Sequence, residues 1–313
     1  MYKTEGFIET HFHGAFGVDF MKCEIDDIIE VAVKIAKLGV TRIYPTLMTA
    51  PIDQIKEQIE KVKSAQKRQP ADSALIGGVH LEGPFINSFK KGIHQEKYIL
   101  EPTISNYKKL DDDIVKIVTI SPELDNNREL CKYLHSRAVF VQAGHTMTYN
   151  LSECDSVTHL FNGMPSLTHK FQNIISSALS NDDMFIEMIA DGNHIVDDVL
   201  KMVFKTKPHD RIVLISDALP VTHGGKDECE FAGQTVHYSD GSFYNADGVL
   251  AGSGMLQPDI LKRLVKNNLL SFEDAAYMMN ITPAKYLRVL NNAFVTFDDD
   301  LNPIKTDFIH RKN

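Results

Sequence analysis

The stretch GFIETHFHGAFGVDF, residues 6–20, decides the fold. It opens on a short apolar run and carries two histidines one residue apart, His11 and His13. Side chains of a β-strand alternate faces, so positions i and i+2 aim two imidazoles at one point in space. That geometry suits one metal ion. An isolated H-x-H also fits two polar residues on a solvated strand face. The rest of the chain separates these readings, because an apolar, β-branched run that stops at a Glu, His or Asp recurs along it.

Eight such runs alternate with helical patterns: GFIET (6–10), VTRIYPTL (40–47), ALIGGVH (74–80), IVKIVTI (114–120), AVFVQAG (138–144), SVTHLF (156–161), MFIEMIA (184–190) and RIVLIS (211–216). Amphipathic segments such as 25–39 and 51–68 lie between them, ending near Gly or a basic residue as helix C-termini do. Strand then helix, repeated eight times, predicts an α/β protein of the (β/α)₈ TIM-barrel type. A doubly wound open sheet is the alternative, but no G-x-G-x-x-G follows the first strand. After the eighth run, residues 218–252 hold a Gly-rich loop and a β-hairpin with Asp240-Gly241 as its turn. Helices are expected at about 255–268, 271–280 and 282–290, the second opened by Ser271 and Asp274 in a capping-box arrangement. Residues 1–290 are thus assigned to the barrel and 291–313 to a short C-terminal strand and tail, too small for a domain.

Barrel active sites form where the strands end, at the C-terminal face. Six ligand-type residues occupy that position: His11 and His13, Glu82 in VHLEGPF, His145 in AGHT, His159 in VTHLFNGM and Asp217 in LISDAL. Alone, each reads as a capped or hydrogen-bonded structural residue. Six on one rim read as a metal centre. Imidazole and carboxylate donors suit Zn²⁺, Fe²⁺, Mn²⁺ or Co²⁺, and four histidines argue against Mg²⁺ and Ca²⁺. One ion is expected, or two bridged by Glu82, with His11, His13 and Asp217 around one and His145 and His159 around the other. Such a centre supplies hydroxide at neutral pH, so hydrolysis is the expected chemistry.

Composition narrows the partners. The 313 residues are 43% hydrophobic and 24% charged, as in ordinary globular proteins, and the formal net charge of −9 with scattered basic residues argues against a nucleic-acid surface while leaving room for a local basic pocket for a small anion. No run approaches the roughly 20 apolar residues of a membrane span, and MYKTEGF lacks the order of a signal peptide, so a cytoplasmic protein is expected. Cys23, Cys131, Cys154 and Cys229 form no C-x-x-C pair and read as free thiols.

HFHG, GVHLEGPFIN with KKGIH, AGHT, VTHLFNGM, ADGNHI, LISDAL, VLAGS and ITPAKYL, in this order from residue 8 to about 290, together resemble the N-acetylglucosamine-6-phosphate deacetylases of the amidohydrolase superfamily. The resemblance implies removal of acetate from an N-acetylated amino-sugar phosphate, with Asp217 as the base that deprotonates the attacking water and then protonates the leaving amine. It implies that His94, in KKGIH, helps polarise the acetyl carbonyl, and that His194, Asn162 and the backbone around Gly163 bind the sugar and its phosphate. Relatives of the dihydroorotase and urease kind bridge their metals with a carboxylated lysine after strand 4. Here that strand ends in SPE, and Glu82 takes the bridging place.

Three departures qualify what is carried over. Family members generally have some fifty residues before H-x-H that form a small β-sandwich with the chain's end, so that domain is expected to be missing or vestigial here. Lys170, in THKFQN, stands where the family often has an arginine given to the neighbouring subunit's phosphate pocket, and lysine cannot make the bidentate contact. Gly163 stands where alanine is usual, a change expected to be minor. A homodimer is expected on the same grounds. Alternatives remain a deacetylase of another N-acyl amino sugar, such as N-acetylgalactosamine 6-phosphate, and a non-catalytic sugar-phosphate-binding protein.

Overall fold

A computed structural model describes residues 1–309. β1 (Tyr2–Glu5) is followed by eight parallel strands that form the barrel. These are β2 (Phe7–Phe12), β3 (Val40–Met48), β4 (Val79–Glu82), β5 (Val115–Ile120), β6 (Phe140–Ala143), β7 (Ser156–Val157), β8 (Phe185–Ile189) and β9 (Ile212–Ile215). They pair in sequence order from β2 to β9. The seam closes through Asp217 N–H to His11 O at 3.0 Å and His13 N–H to Ala218 O at 2.9 Å, so the first and last proposed ligand segments are hydrogen-bonded to each other. Every residue of β2 is buried, as expected of a parallel strand covered on both faces.

The helices follow from their apolar spacing. In α1 (Ile25–Lys37) Ile28, Val31, Ala32, Ile35 and Ala36 are buried, the i, i+3, i+4, i+7, i+8 stripe of a helix lying on a sheet. Glu24 opens it, its N–H bonded to the Asp27 carboxylate at 2.9 Å. Gly39 ends it at φ +90°, where a side chain would also press on Val295 at 3.1 Å. The later helices run Gln257–Lys266, Phe272–Met279 and Ile281–Leu287, and the Ser271 hydroxyl accepts the Asp274 N–H at 3.0 Å as the capping pattern predicts.

Two regions hold more strand than the sequence signals. Beyond β9 the chain forms a four-stranded antiparallel meander, β10 (Glu228–Phe231), β11 (Gln234–Ser239), β12 (Ser242–Asn245) and β13 (Leu250–Ser253), in place of a single hairpin. Its Asp240-Gly241 turn has φ of +50° and +95°, the left-handed pair that a two-residue hairpin needs. β1, which sequence reading placed with the barrel, pairs instead with β14 (Ala293–Phe297), and β14 with β15 (Pro303–Phe308). Stacking of Tyr2 on Phe272 and of Phe7 on Phe297 joins this small sheet to the barrel. The last part of the expected tail, 310–313, lies outside the described residues. Among the described residues no helix is long and apolar enough to cross a membrane.

Candidate active site

The strand ends converge on Glu82. Its Oε1 lies 2.9 Å from His159 Nε2, 3.1 Å from His145 Nε2 and 3.4 Å from His11 Nε2. Its Oε2 lies 3.3 Å from His13 Nε2 and 3.4 Å from His94 Nε2. Asp217 Oδ1 completes the cluster, 3.1 Å from His13 Nε2 and 3.5 Å from His11 Nε2. All seven side chains are buried. They form three groups whose ligand atoms lie within 4.8 Å of one another: His11, Glu82 and His159; His11, His13 and Asp217; Glu82, His94 and His145. The sequence reading did not place His94 in ligand range.

The local backbone is bent to achieve this. His145, His159 and Asp217 have φ of +47°, +27° and +51°, a region that non-glycine residues enter at a cost of about 1–3 kcal/mol. Gly83 and Gly163 make room beside them. A Cβ on Gly83 would meet Thr49 Oγ1 at 2.3 Å, and one on Gly163 would meet His145 Nδ1 at 2.9 Å. Glycine at position 163 therefore bears directly on a histidine of the cluster.

Hydrogen-bond inventory shows that these residues fit a metal ion. His145 Nδ1 is 2.7 Å from the Lys90 carbonyl, which can only accept, so Nδ1 carries a ring proton and Nε2 is the nitrogen left for an ion beside Glu82. His11 is arranged alike: Nδ1 faces the Glu187 carboxylate at 3.3 Å, and Nε2 is buried without a hydrogen-bond partner. Imidazole nitrogens and carboxylate oxygens packed this closely call for positive charge between them, carried by ring protons or, displacing them, by a metal ion. The electrostatics show the same pull. Although burial opposes it, Asp217 and Glu82 hold His13 up at about 9, and Glu82 and Glu187 raise His11 well above the ordinary imidazole range. Burial works to raise Glu82, yet His11, His13 and His145 hold it well below the carboxylate range. His94 behaves oppositely, burial pushing it down to about 4 despite Glu82.

A cavity of about 220 Å³ opens over the cluster, its wall including Asn162, Gly163 and His194 as well as Ile93, Val249 and Leu250. His194 Nε2 is 3.9 Å from Asp217 Oδ2. Its Nδ1 donates to Asp191 Oδ2 at 2.7 Å, and Asp191 in turn accepts from Ser242 Oγ of β12 at 3.0 Å. Burial would raise Asp191, but His194 outweighs it and holds the carboxyl down at about 2. Lys170 does not line the cavity; it is exposed on the loop after β7. Sequence reasoning missed Asp191, Thr49 and Glu187, although a lone acid within MFIEMIA was a visible sign of an inward-facing carboxylate.

Fold and site together define a metal-dependent amidohydrolase: a (β/α)₈ barrel with histidines and carboxylates gathered at its strand ends. No family model matches the chain. It is 30% identical over 332 residues to the human N-acetylglucosamine-6-phosphate deacetylase, covering 95% of this chain and 80% of that one. It is 27% identical over 293 residues to the N-acetylgalactosamine-6-phosphate deacetylase of Escherichia coli O157:H7, covering 90% and 77%. The crystal structure of the Thermotoga maritima N-acetylglucosamine-6-phosphate deacetylase superposes with a TM-score of 0.89 at 29% identity, covering 99% of this chain and 89% of that one. The chain belongs to the N-acetylglucosamine-6-phosphate deacetylase family of the amidohydrolase superfamily.

Proposed function

We propose that this protein hydrolyses the acetamide of N-acetylglucosamine 6-phosphate, consuming one water and releasing acetate and glucosamine 6-phosphate. The observation that carries the reading is the convergence of five imidazole Nε2 atoms on Glu82, with Asp217 between His13 and His194. His11, His13, Glu82, His145, His159 and Asp217 would hold one or two divalent transition-metal ions, zinc being the first choice for this donor set. Bound there, the metal supplies hydroxide at neutral pH and Lewis acidity towards a carbonyl.

The remaining work falls to side chains. Asp217 Oδ1 and Oδ2 face opposite neighbours, so the carboxylate can take a proton from the attacking water on one side and release it to the leaving nitrogen on the other. His94, kept neutral by burial, donates Nε2–H to the acetyl oxygen as negative charge builds there. His194 is fixed by Asp191 with Nε2 towards the cavity, where it and Asn162 with the Gly163 backbone orient the sugar phosphate.

A homodimer is proposed to complete the phosphate end. Phe89 is 87% exposed and Phe171 74%, on the loops after β4 and β7, with Leu167 exposed on the latter and Met147 and Tyr149 on the loop after β6. An apolar rim of this kind is what a two-fold partner covers. Lys170 lies on the same rim and would reach the partner's phosphate. Unpaired thiols at all four cysteines support a cytoplasmic setting.

Similarity to the E. coli N-acetylgalactosamine-6-phosphate deacetylase favours one second reading, the galacto epimer. Metal content per chain, measured with acetate release from both N-acetylhexosamine 6-phosphates and from the free sugars, tests the proposal. Chelation should abolish acetate release and added Zn²⁺, Fe²⁺ or Mn²⁺ should restore it. Full activity in metal-free protein would sink the mechanism, and preference for the galacto sugar would change the substrate alone.

A further inference from the structure

One layer beneath the cluster, the barrel interior is polar where such barrels are ordinarily filled by Val, Ile and Leu. Thr10 on β2, His80 on β4, Thr119 on β5, Gln142 on β6, Thr158 just after β7 and Glu187 on β8 are all fully buried. They form a continuous belt. His80 Nδ1 meets Thr10 O at 2.9 Å and Nε2 meets Thr119 Oγ1 at 2.8 Å. Thr119 Oγ1 is 2.9 Å from Thr158 Oγ1, and Thr158 donates to Gln142 Oε1 at 3.0 Å. Gln142 Nε2 donates to Glu187 Oε1 at 3.0 Å, and the Thr10 hydroxyl donates to the same oxygen at 2.7 Å.

A belt of this kind is costly to bury unless every member is satisfied, and once satisfied it is rigid. Its ionisable acid is positioned for a purpose. With Oε1 held by two donors, Glu187 Oε2 is left facing His11 Nδ1 at 3.3 Å. That contact keeps a proton on His11 Nδ1, so that Nε2, buried without a hydrogen-bond partner and aimed between Glu82 Oε1 and Asp217 Oδ1 at 3.4 and 3.5 Å, is the nitrogen available to an ion. Glu187 does not line the cavity and touches no substrate.

We propose that Glu187 is the positioning residue of the metal site: held by Thr10 and Gln142, it fixes the tautomer and ring orientation of His11 and thereby sets the site's affinity for its ion. The inference rests on the metal reading above. Partners behind a metal-ligating histidine act in this way, fixing the ring and raising the basicity of the ligating nitrogen, and their loss typically costs about 10- to 100-fold in metal affinity. Gln142 and the Thr10 hydroxyl act at one further remove, since each removes one degree of freedom from Glu187.

The test is the dissociation constant for Co²⁺, measured on the purified, chelator-stripped full chain by competition with a chromophoric chelator, with the visible absorption of the bound Co²⁺ recorded alongside. Glu187→Gln keeps the shape and leaves its oxygen to accept from Thr10 and Gln142, but turns an NH₂ donor in place of the acceptor towards His11 Nδ1. It should weaken Co²⁺ by about 10- to 100-fold and alter the spectrum. Thr10→Val leaves Glu187 and His11 in place and should weaken it by about 2- to 10-fold, the loss of one supporting hydrogen bond. In a His11→Ala background, Glu187→Gln should add less than about 2-fold, because the histidine it positions is gone. A folded Glu187→Gln with wild-type affinity overturns the proposal, as does an undiminished effect in the His11→Ala background, which marks a purely structural role. If Glu187→Gln fails to fold, Thr10→Val decides, and unchanged affinity there overturns it. A wild-type chain that binds no Co²⁺ overturns the metal reading and this inference with it, a result distinct from variants that bind normally.

Discussion

Thr49 Oγ1 lies 2.9 Å from His94 Nδ1. On the far side of the ring, Nε2 faces the Glu82 carboxylate at 3.4 Å, and a carboxylate can only accept. Nε2 therefore carries the proton, and the Thr49 hydroxyl is the donor. A threonine one residue past β3 thus holds the tautomer that the role proposed for His94, donating to a carbonyl oxygen, requires.

Thr49→Val keeps the shape and removes that control. We expect kcat to fall about 10-fold, whereas His94→Asn, which removes the donor outright, should cost about 10²–10³-fold. Steady-state kinetics on the two variants, with thermal melting to confirm that both fold, checks the order. A larger loss for Thr49→Val than for His94→Asn would contradict the assignment.

Asp217→Asn should leave the fold intact, because asparagine tolerates the left-handed φ of +51° as well as aspartate does. The amide cannot shuttle a proton, so kcat should drop by several orders of magnitude, roughly the 10²–10⁴ of acid–base catalysis or more. Much of the metal should remain bound, read by elemental analysis of the purified variant. Near-normal turnover would move the base elsewhere, with His194, 3.9 Å away, the next candidate.

The strands were legible because a barrel buries both faces of each, so β-branched runs at strand length recur in order. The rim was legible because each run stops at a residue with no place in an apolar core. What was not legible depends on contacts across the barrel. SVTHLF reads as a six-residue strand, yet only Ser156 and Val157 pair, because the chain turns through the positive φ of His159 to aim that ring inward. Tyr2–Glu5 is too short to announce itself and becomes a strand only by pairing with residues 293–297. Thr49 and Asp191 are ordinary polar residues in sequence, and their roles exist only through His94 and His194.

Lys207 offers a pH dependence away from the active site. It is 2% exposed, its ammonium bonded to the carbonyls of Ala178 and Asn181, and burial pulls it down to about 8 from the ordinary 10.5. Between those values the unfolded chain holds a proton that the folded chain has lost, so this lysine makes stability rise with pH across that window. Urea unfolding at pH 7.5 and 10.5 should show wild type gaining on Lys207→Met by on the order of 1–3 kcal/mol. Parallel stabilities at both pH values would place Lys207 in a wetter setting than its burial indicates.

Lys170 tests the proposed assembly. It sits beside the exposed Phe171 on the loop after β7, whose inner part, Asn162 and Gly163, lines the cavity. A two-fold partner seated on Phe89 and Phe171 would bury that apolar rim and carry each Lys170 towards the other subunit's substrate. Lysine binds phosphate as a point charge without the paired geometry of arginine, so its share is attraction and not orientation. Lys170→Ala should therefore raise KM for the phosphorylated sugar several-fold, leave kcat nearly unchanged and leave the free sugar unaffected. Phe171→Asp should produce the same KM change by breaking the dimer, seen in sedimentation as a shift to monomer. A wild-type monomer, or a Lys170→Ala enzyme with unchanged KM for the phosphorylated substrate, would remove the shared pocket while leaving the metal site untouched.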